Sequence, residues 1–509
     1  MKKLERTRNA YRNIITGSIL KLIQIAVPFI VRTIMIRTLG MEYLGLNSLF
    51  ASVLQVLNLA ELGVGSAMVF SMYKPIAEDD TDTICALMNL YRKYYRIIGM
   101  TIMVIGLMIM PFLRHLINGT VPEGINIHIL YLIHLFATVL SYWLFAYKNS
   151  LLIAYQRLDI SNKVAVAIQL IQNVLQIVVL VIWKNYYFYI IIMPIVQIVS
   201  NCMTALIVNK VYPQYKPKGK LGAAQVKTIN GKIRDLFTSK IGSVVLNSAD
   251  SIVISAFLGL NILAIYNNYY YILSSVIGFI TIIFQSITAG IGNSMVTETK
   301  EKNYRDFEKM SFLLNWIIGV CCACFVSLYQ PFMQLWAGEE NMLSMVAVVM
   351  LTVYFYIYEM NGLLNIFKDA AGMWHEDRFR SLVVAIANLV MNIAAVRFIG
   401  IYGVILSTIL SLSLIGIPWI TKNLFTHVFS GRDIMQYLGK TAQYVLKIVC
   451  VTVITFAVCR LYPDDVLGLI FRGITCTILP NACFVILYYR TKEFTYIREM
   501  LPRILKGGR

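Results

Sequence analysis

Fourteen long apolar runs govern what this sequence can fold into. They lie near residues 13–36, 44–72, 96–116, 127–147, 164–183, 188–208, 235–258, 263–293, 311–333, 343–367, 381–399, 402–425, 442–460 and 467–489. About 20 helical residues cross the roughly 30 Å of a bilayer's hydrocarbon, and in lipid only helices and closed barrels satisfy every backbone polar group. A chain patterned this way is expected to be an all-α bundle of fourteen transmembrane helices. Composition agrees: charged residues make up 14% of the 509 and the mean hydropathy is +0.68, against roughly 25% charged residues in a soluble domain.

A net charge of +19 would suit a nucleic-acid binder, but its placement argues otherwise. Of the 45 Lys and Arg residues, counting those near span ends with the neighbouring connection, 36 fall on both tails and every second connection and six on the intervening connections, with Lys21, Arg32 and Lys240 assigned to spans. Cations concentrate on the cytoplasmic side of membrane proteins, so both termini are expected there, with an even number of spans. The basic charge then reports topology and attraction to anionic membrane lipids, with no nucleic-acid partner. The N-terminal "MKKLERTRNAYRN" precedes an apolar stretch too long for a signal-peptide core and without a cleavage site, so it is expected to stay attached. Of nine Cys, only Cys85 lies outside a proposed span, which implies no extracellular disulfide framework, and "CCAC" at 321–324 reads as buried thiols on an apolar helix.

The sequence repeats itself at a nearly constant offset of 219 or 220 residues. "IRTLG" at 36–40 returns as "SAFLG" at 255–259, "IIG" at 97–99 and "PF" at 111–112 return at 317–319 and 331–332, and Gln169 and Asn173 map onto Asn388 and Asn392. That offset lays six spans over the next six in the same orientation, a parallel duplication about an axis along the membrane normal. The expected organisation is an N-terminal six-helix bundle (1–209), a cytoplasmic linker rich in cations, Pro and Gly (210–234), a C-terminal six-helix bundle related to the first by a pseudo-twofold (235–430), and an additional two-helix hairpin with a basic tail (431–509).

Three cations inside apolar runs need an explanation, because a charge at bilayer depth costs roughly 2.5–3.5 kcal/mol on insertion scales. Lys21 and Lys240 are 219 residues apart, so the repeat puts them at matching depth in the first helix of each half. Their long side chains either snorkel to the cytoplasmic surface or face a shared interior and hold an anion. Arg32 follows Lys21 by eleven residues, nearly the same helix face, and reads as an anchor at the outer interface or as part of that anion site. Pro28 between them predicts a kink.

Polar stripes accompany the cations. Gln169, Gln172, Asn173 and Gln176 share one helix face, and Asn388 with Asn392 repeats the i, i+4 spacing. Such amides join helices by hydrogen bonds or wall a hydrophilic cavity. The acids Glu61, Asp250 and Glu359 lie within spans as ion-pair partners for the cations or as sites for a coupling proton or sodium ion. Asn58 lies one turn from Glu61, and Asn247 one turn from Asp250. Apart from that coupling H+ or Na+, no cofactor is expected. "EDDTD" at 78–82 reads as a solvated turn, the five His are scattered, and no spacing suggests a catalytic set, so the chain is not expected to be an enzyme.

The stretches "RTIMIRTLGMEYLGLNSLF" (32–50), "LAELGVGSAMVFSMYKPIAEDD" (59–80), "LLIAYQRLD" (151–159) and "NSADSIVISAFLGLNILAIYNNYY" (247–270) resemble polysaccharide flippases of the Wzx type, within the superfamily of multidrug, oligosaccharidyl-lipid and polysaccharide exporters. The resemblance implies a bacterial inner-membrane protein that moves an undecaprenyl-diphosphate-linked oligosaccharide to the outer leaflet by alternating access, with polysaccharide polymerase and glycosyltransferases as partners. Lys21, Lys240 and Arg32 would then meet the diphosphate, and the Gln and Asn faces the sugars. Relatives in the same superfamily flip lipid II or export drugs. A membrane polymerase or glycosyltransferase would want a larger outer loop than any here.

Overall fold

The computed structural model describes residues 3–119, 121–155, 157–429, 431–492 and 494–495; the basic tail read at the C-terminus lies outside them from residue 496 onward. Among the described residues every regular element is helical. In chain order they are α1 (Lys3–Thr38), α2 (Met41–Leu57), α3 (Val64–Ala77), α4 (Thr81–Ile109), α5 (Ile127–Trp143), α6 (Asn149–Ala154), α7 (Leu158–Ile182), α8 (Tyr186–Val211) and α9 (Ala223–Leu258). There follow α10 (Leu260–Thr297), α11 (Lys300–Ala337), α12 (Met345–Ala370), α13 (Trp374–Asp377), α14 (Arg380–Ile399), α15 (Ile401–Ser411), α16 (Ile417–His427), α17 (Ile434–Cys459) and α18 (Val466–Tyr488).

Among the described residues, eleven stretches are long and apolar enough to span a membrane, with α2–α3 and α15–α16 each taken as one. The pair α5 and α6, bent by 46°, makes a twelfth if it is a single span. Helices α1 and α10, of 36 and 38 residues, contain side chains outside the described set and stand beside that count. The sequence expectation of fourteen spans therefore rests on those two helices as well.

Helix ends follow local chemistry that hydropathy does not register. The side chains of Asp80, Asn126, Asn185, Thr299, Ser344, Asp433 and Asp465 each accept a backbone N–H of the first turn of α4, α5, α8, α11, α12, α17 and α18, supplying acceptors that the helix itself lacks there. The Thr83 hydrogen bonds to Asp80 also hold that exposed carboxyl below its ordinary acidity range. Helix α9 begins at Ala223, inside the stretch read as linker, where the Gln225 side chain accepts the Gly222 N–H. Good helix formers continue the helix through charged residues that end an apolar run. Pro28 lies inside α1, which passes through it unbroken to Thr38.

Gly40 and Gly259, 219 residues apart, close α1 and α9 with φ of +108° and +91°, and their N–H groups return to the carbonyls of Met35 and Ile254. Gly119 and Gly338, at the same offset, have φ of +87° and +89°. Only glycine takes these conformations without strain.

The chain divides into two compact units, one of residues 1–268 and 381–404, the other of 269–380 and 405–509. In the first, α2 and α3 pack on α9, α7 on α1 and α8, and α5 on α4 and α8, with Phe50 set against Tyr131 and His134. Helices α9 and α14, placed by the repeat in the second half, therefore belong by packing with the helices of the first. In the second unit α11 packs on α12, α17 and α18 around Phe307, Phe367, Phe429 and Tyr437. The C-terminal hairpin docks there: Trp316 Nε1 donates to Asn481 at 2.8 Å, and the buried Arg472 spans the α17–α18 turn, donating to the carbonyls of Cys459 and Tyr462 and to Asp464.

Candidate functional site

All the sequence-derived site residues except Glu359 fall in the first unit. There the second apolar run is broken at mid-length. Helix α2 ends at Leu57, a single tight turn covers Asn58–Glu61, and Gly63, with φ +86°, reorients the chain into α3. A Cβ on Gly63 would lie 2.8 Å from Leu236 Cβ and 3.0 Å from the Ile233 carbonyl of α9, so the glycine allows both the turn and the close approach. Discontinuous helices within membranes place backbone dipoles where ions or polar ligands bind.

Glu61 sits in this break. Its Oε1 accepts the Tyr95 hydroxyl at 3.2 Å, Tyr95 in turn accepts that of Tyr91 at 2.6 Å, and the Gly65 N–H also meets the carboxylate. Tyr142 donates to Asn58 Oδ1 at 3.1 Å and sets its ring edge against Tyr95, 5.3 Å between centroids. Asn58 and Glu61 are thus linked through the packed rings of Tyr142 and Tyr95. The charge of the exposed Lys240 acts on Glu61 through space, without an ion pair between them among the described residues.

The other two cations are placed differently. Arg32 Nε donates to Asn268 Oδ1 at 2.5 Å, and Asn268, itself fully buried, directs its Nδ2 to Met41 Sδ. Lys21 is partly exposed on α1 and has no ion pair or hydrogen bond among the described residues. Lys240, at the matching repeat position on α9, is exposed.

Asp250 joins α9 to α14. Its Oδ1 accepts Asn392 Nδ2 at 2.7 Å, and the same Nδ2 lies 3.2 Å from Asn388 Oδ1. Both asparagines are wholly buried, and the remaining acceptor, Asn392 Oδ1, is enclosed without a donor. The two helices can approach because Gly242 lies where a Cβ would come within 2.1 Å of the Ser381 carbonyl group. The side chain of Asn247, expected beside Asp250, lies outside the described residues.

On α7, Gln169 and Gln172 are half-buried while Asn173 and Gln176 are buried, with Asn173 Nδ2 lacking an acceptor. One end of the stripe is therefore open and the other enclosed. Glu359 lies apart, in α12 of the second unit, 3% exposed. Sequence reasoning passed over Tyr91, Tyr95, Tyr142 and Asn268. The i, i+4 spacing of Tyr91 and Tyr95 and the closely spaced Gly63 and Gly65 were the available signals, the second pair marking a turn inside an apolar run.

No family model and no curated protein matches the chain. Solved structures do, and the likeness is one of fold, shared with transporters described as belonging to the MOP superfamily. A structure described as "Lipid II flippase MurJ, inward closed conformation" overlays 93% of this chain and 99% of its own at a TM-score of 0.66 and 14% identity. An inward-facing multidrug resistance MATE family transporter overlays 80% of this chain and 97% of its own, with TM-score 0.61 and 15% identity. The Vibrio cholerae MATE transporter VcmN in the bent form overlays 82% and 98%, with TM-score 0.52 and 16% identity. These neighbours are described as a flippase and as transporters.

Proposed function

We propose that the chain is a flippase for a lipid-linked oligosaccharide carried on undecaprenyl diphosphate, moved from the inner to the outer leaflet by alternating access. What supports this reading is Lys21, a cation within the first apolar run with no ion pair or hydrogen bond among the described residues, whereas its repeat mate Lys240 lies close enough to Glu61 for its charge to act on it. A diphosphate supplies the missing charge, with Lys21, Lys240 and Arg32 as its contacts. The half-buried Gln169 and Gln172 extend the site toward the sugars, and Asn173, Gln176, Asn388 and Asn392 back it. The lipid tail stays in the bilayer, which such a headgroup site does not need to enclose.

The fuller reading is a fourteen-span protein of the bacterial cytoplasmic membrane, with both termini inside, built on two repeat-related six-helix bundles and working beside glycosyltransferases and a polysaccharide polymerase. Among the acids, Glu61 beside its tyrosines, Asp250 beside the unfilled Asn392 oxygen and Glu359 in α12 are the coupling-ion candidates. Lipid II is the second substrate to weigh, favoured by the extent of the overlay on its flippase.

Reconstituted vesicles test the proposal. The chain is expected to move a fluorescent oligosaccharide on a diphosphate lipid at least about tenfold faster than its monophosphate analogue, since one lost charge-assisted contact is worth about 1.5 kcal/mol. An organic cation should not be carried. Equal rates for the two lipids, or transport of the cation alone, would remove the diphosphate reading, and preference for lipid II would redirect it.

A further inference from the structure

The bend between α5 and α6 gathers hydrogen-bond donors and positive charge without a counter-charge. Helix α5 ends at Trp143, Phe145 takes a left-handed φ of +57°, and the span resumes at α6 after turning by 46°. The turn sets Tyr147 against α4, where it is 4% exposed.

Two arginines of α4, one turn apart, meet it there. The Arg92 guanidinium lies against the Tyr147 hydroxyl, and the charge of Arg96 acts on the same group. Trp143 fixes how the helices meet: its Nε1 donates to the Arg96 carbonyl at 3.2 Å, and its indole fills the space beside Gly99, where a Cβ would come within 2.2 Å of that nitrogen. Lys148, the residue after Tyr147, is 8% exposed and donates to Asn209 Oδ1 at 2.6 Å. Among the described residues none of these three cations has an ion pair, and no carboxylate acts on the Tyr147 hydroxyl. Arg92 Nε is enclosed without an acceptor.

Cations at the end of a span ordinarily extend toward water, and the sidedness of basic residues accounts for their number. Neither accounts for Arg92, whose Nε is shut away from water beside a buried hydroxyl. A guanidinium taken out of water costs free energy unless acceptors and an opposite charge replace its hydration. Phosphate supplies both, because its several oxygens can each accept an N–H and guanidinium matches their geometry. The depth agrees with such an occupant. Arg96 opens the apolar run 96–116 and Tyr147 closes the run 127–147, so the group lies where hydrocarbon gives way to headgroups, and tryptophan is a residue type of that boundary.

We propose that Arg92, Arg96 and Tyr147 form a phosphate-binding site at the α5–α6 bend, on helices that carry none of Lys21, Arg32 and Lys240. The two guanidinium groups and the hydroxyl hold the phosphate oxygens, and Lys148 adds to the positive field. A phospholipid headgroup reaches the site from the bilayer and inorganic phosphate reaches it from solution. The site stands whether or not the chain moves a glycolipid.

Native mass spectrometry of the purified full chain, released from nanodiscs of phosphatidylglycerol in a phosphate-free glycolipid, tests the headgroup as the source. Phosphorus-31 line broadening of inorganic phosphate, with the chain in glycolipid alone, tests the free anion. At least one probe is expected to bind the wild type and to bind Arg92→Gln with Arg96→Gln at least about tenfold more weakly. Tyr147→Phe, which removes only a hydroxyl, should weaken the same probe by about fivefold. Arg92→Lys with Arg96→Lys should recover part of the binding and reports on folding. Lys93→Gln with Lys163→Gln removes equal charge from exposed positions and should leave binding unchanged. Lipid retention alone identifies a headgroup, and phosphate binding that displaces the lipid identifies a site open to both. Binding of neither probe that depends on the two arginines would overturn the proposal, and so would equal losses in the arginine and lysine pairs, which would leave only general attraction between a basic protein and anions.

Discussion

A chain carrying both Lys21→Ala and Lys240→Ala is expected to reach the membrane at wild-type levels and to lose glycolipid transport. Hydrogen bonds to charged groups contribute about 1.5–3 kcal/mol each, so removing two cations from a dianionic headgroup should weaken its capture by about 100-fold or more. The fold should tolerate the change because Lys240 is exposed, Lys21 is partly exposed, and neither anchors a helix. Glu61 keeps Tyr95 and the Gly65 N–H when Lys240 is removed. Lys21→Arg with Lys240→Arg should recover part of the activity, as the charge is restored with altered reach. Membrane abundance by immunoblot, read beside transport in vesicles, separates lost recognition from lost protein, and a double alanine variant with full transport would exclude both lysines from the site.

Gly242→Leu is expected to be the most damaging single substitution in the first unit. Its Cβ would fall 2.1 Å from the Ser381 carbonyl group, a backbone obstacle that cannot rotate aside. Over-packing of this kind costs about 1–3 kcal/mol when side chains can adjust, and should lie at or above that range when backbone must move. Two helical turns further along, Asp250 accepts Asn392 across the same pair of helices, and forcing α14 off α9 would break that bond. Thermal unfolding in detergent should therefore show a marked loss of stability accompanied by loss of transport, whereas Gly231→Leu, at a glycine of α9 with open space around it, should leave both near wild type. Equal stability of the two variants would show that α9 and α14 do not meet at Gly242.

The spans were legible because hydropathy over about 20 residues is a local property of the sequence. The break at Asn58–Gly63 was hidden inside an apolar run. It depends on how closely α9 approaches Gly63, which is a tertiary fact. The grouping of α9 and α14 with the earlier helices was likewise invisible, since sequence order fixes the repeat and packing decides the neighbours.

The site was legible in residue type more than in partnership. Glu61, Asp250 and Glu359 looked alike as acids within apolar runs, but one accepts a tyrosine hydroxyl, one an asparagine amide, and one is buried in α12 with an oxygen that has no hydrogen-bond partner. Tyr91, Tyr95 and Tyr142 escaped notice because tyrosine counts as ordinary span material until a carboxylate is found at its hydroxyl. Arg32 was expected at an interface or an anion, and its partner Asn268 lies 236 residues away on another helix, beyond the reach of any local pattern.

The central claim is that lysines of the first unit hold the phosphates of the cargo. Nitrogen-15 to phosphorus-31 dipolar recoupling, with lysine-labelled protein and a diphosphate-linked oligosaccharide in a phosphate-free glycolipid bilayer, measures that contact directly. The account predicts dephasing of a lysine ammonium signal by the bound diphosphate, reduced in Lys21→Ala and again in Lys240→Ala. Saturating ligand with no lysine signal dephased, or dephasing unchanged in both variants, would contradict it.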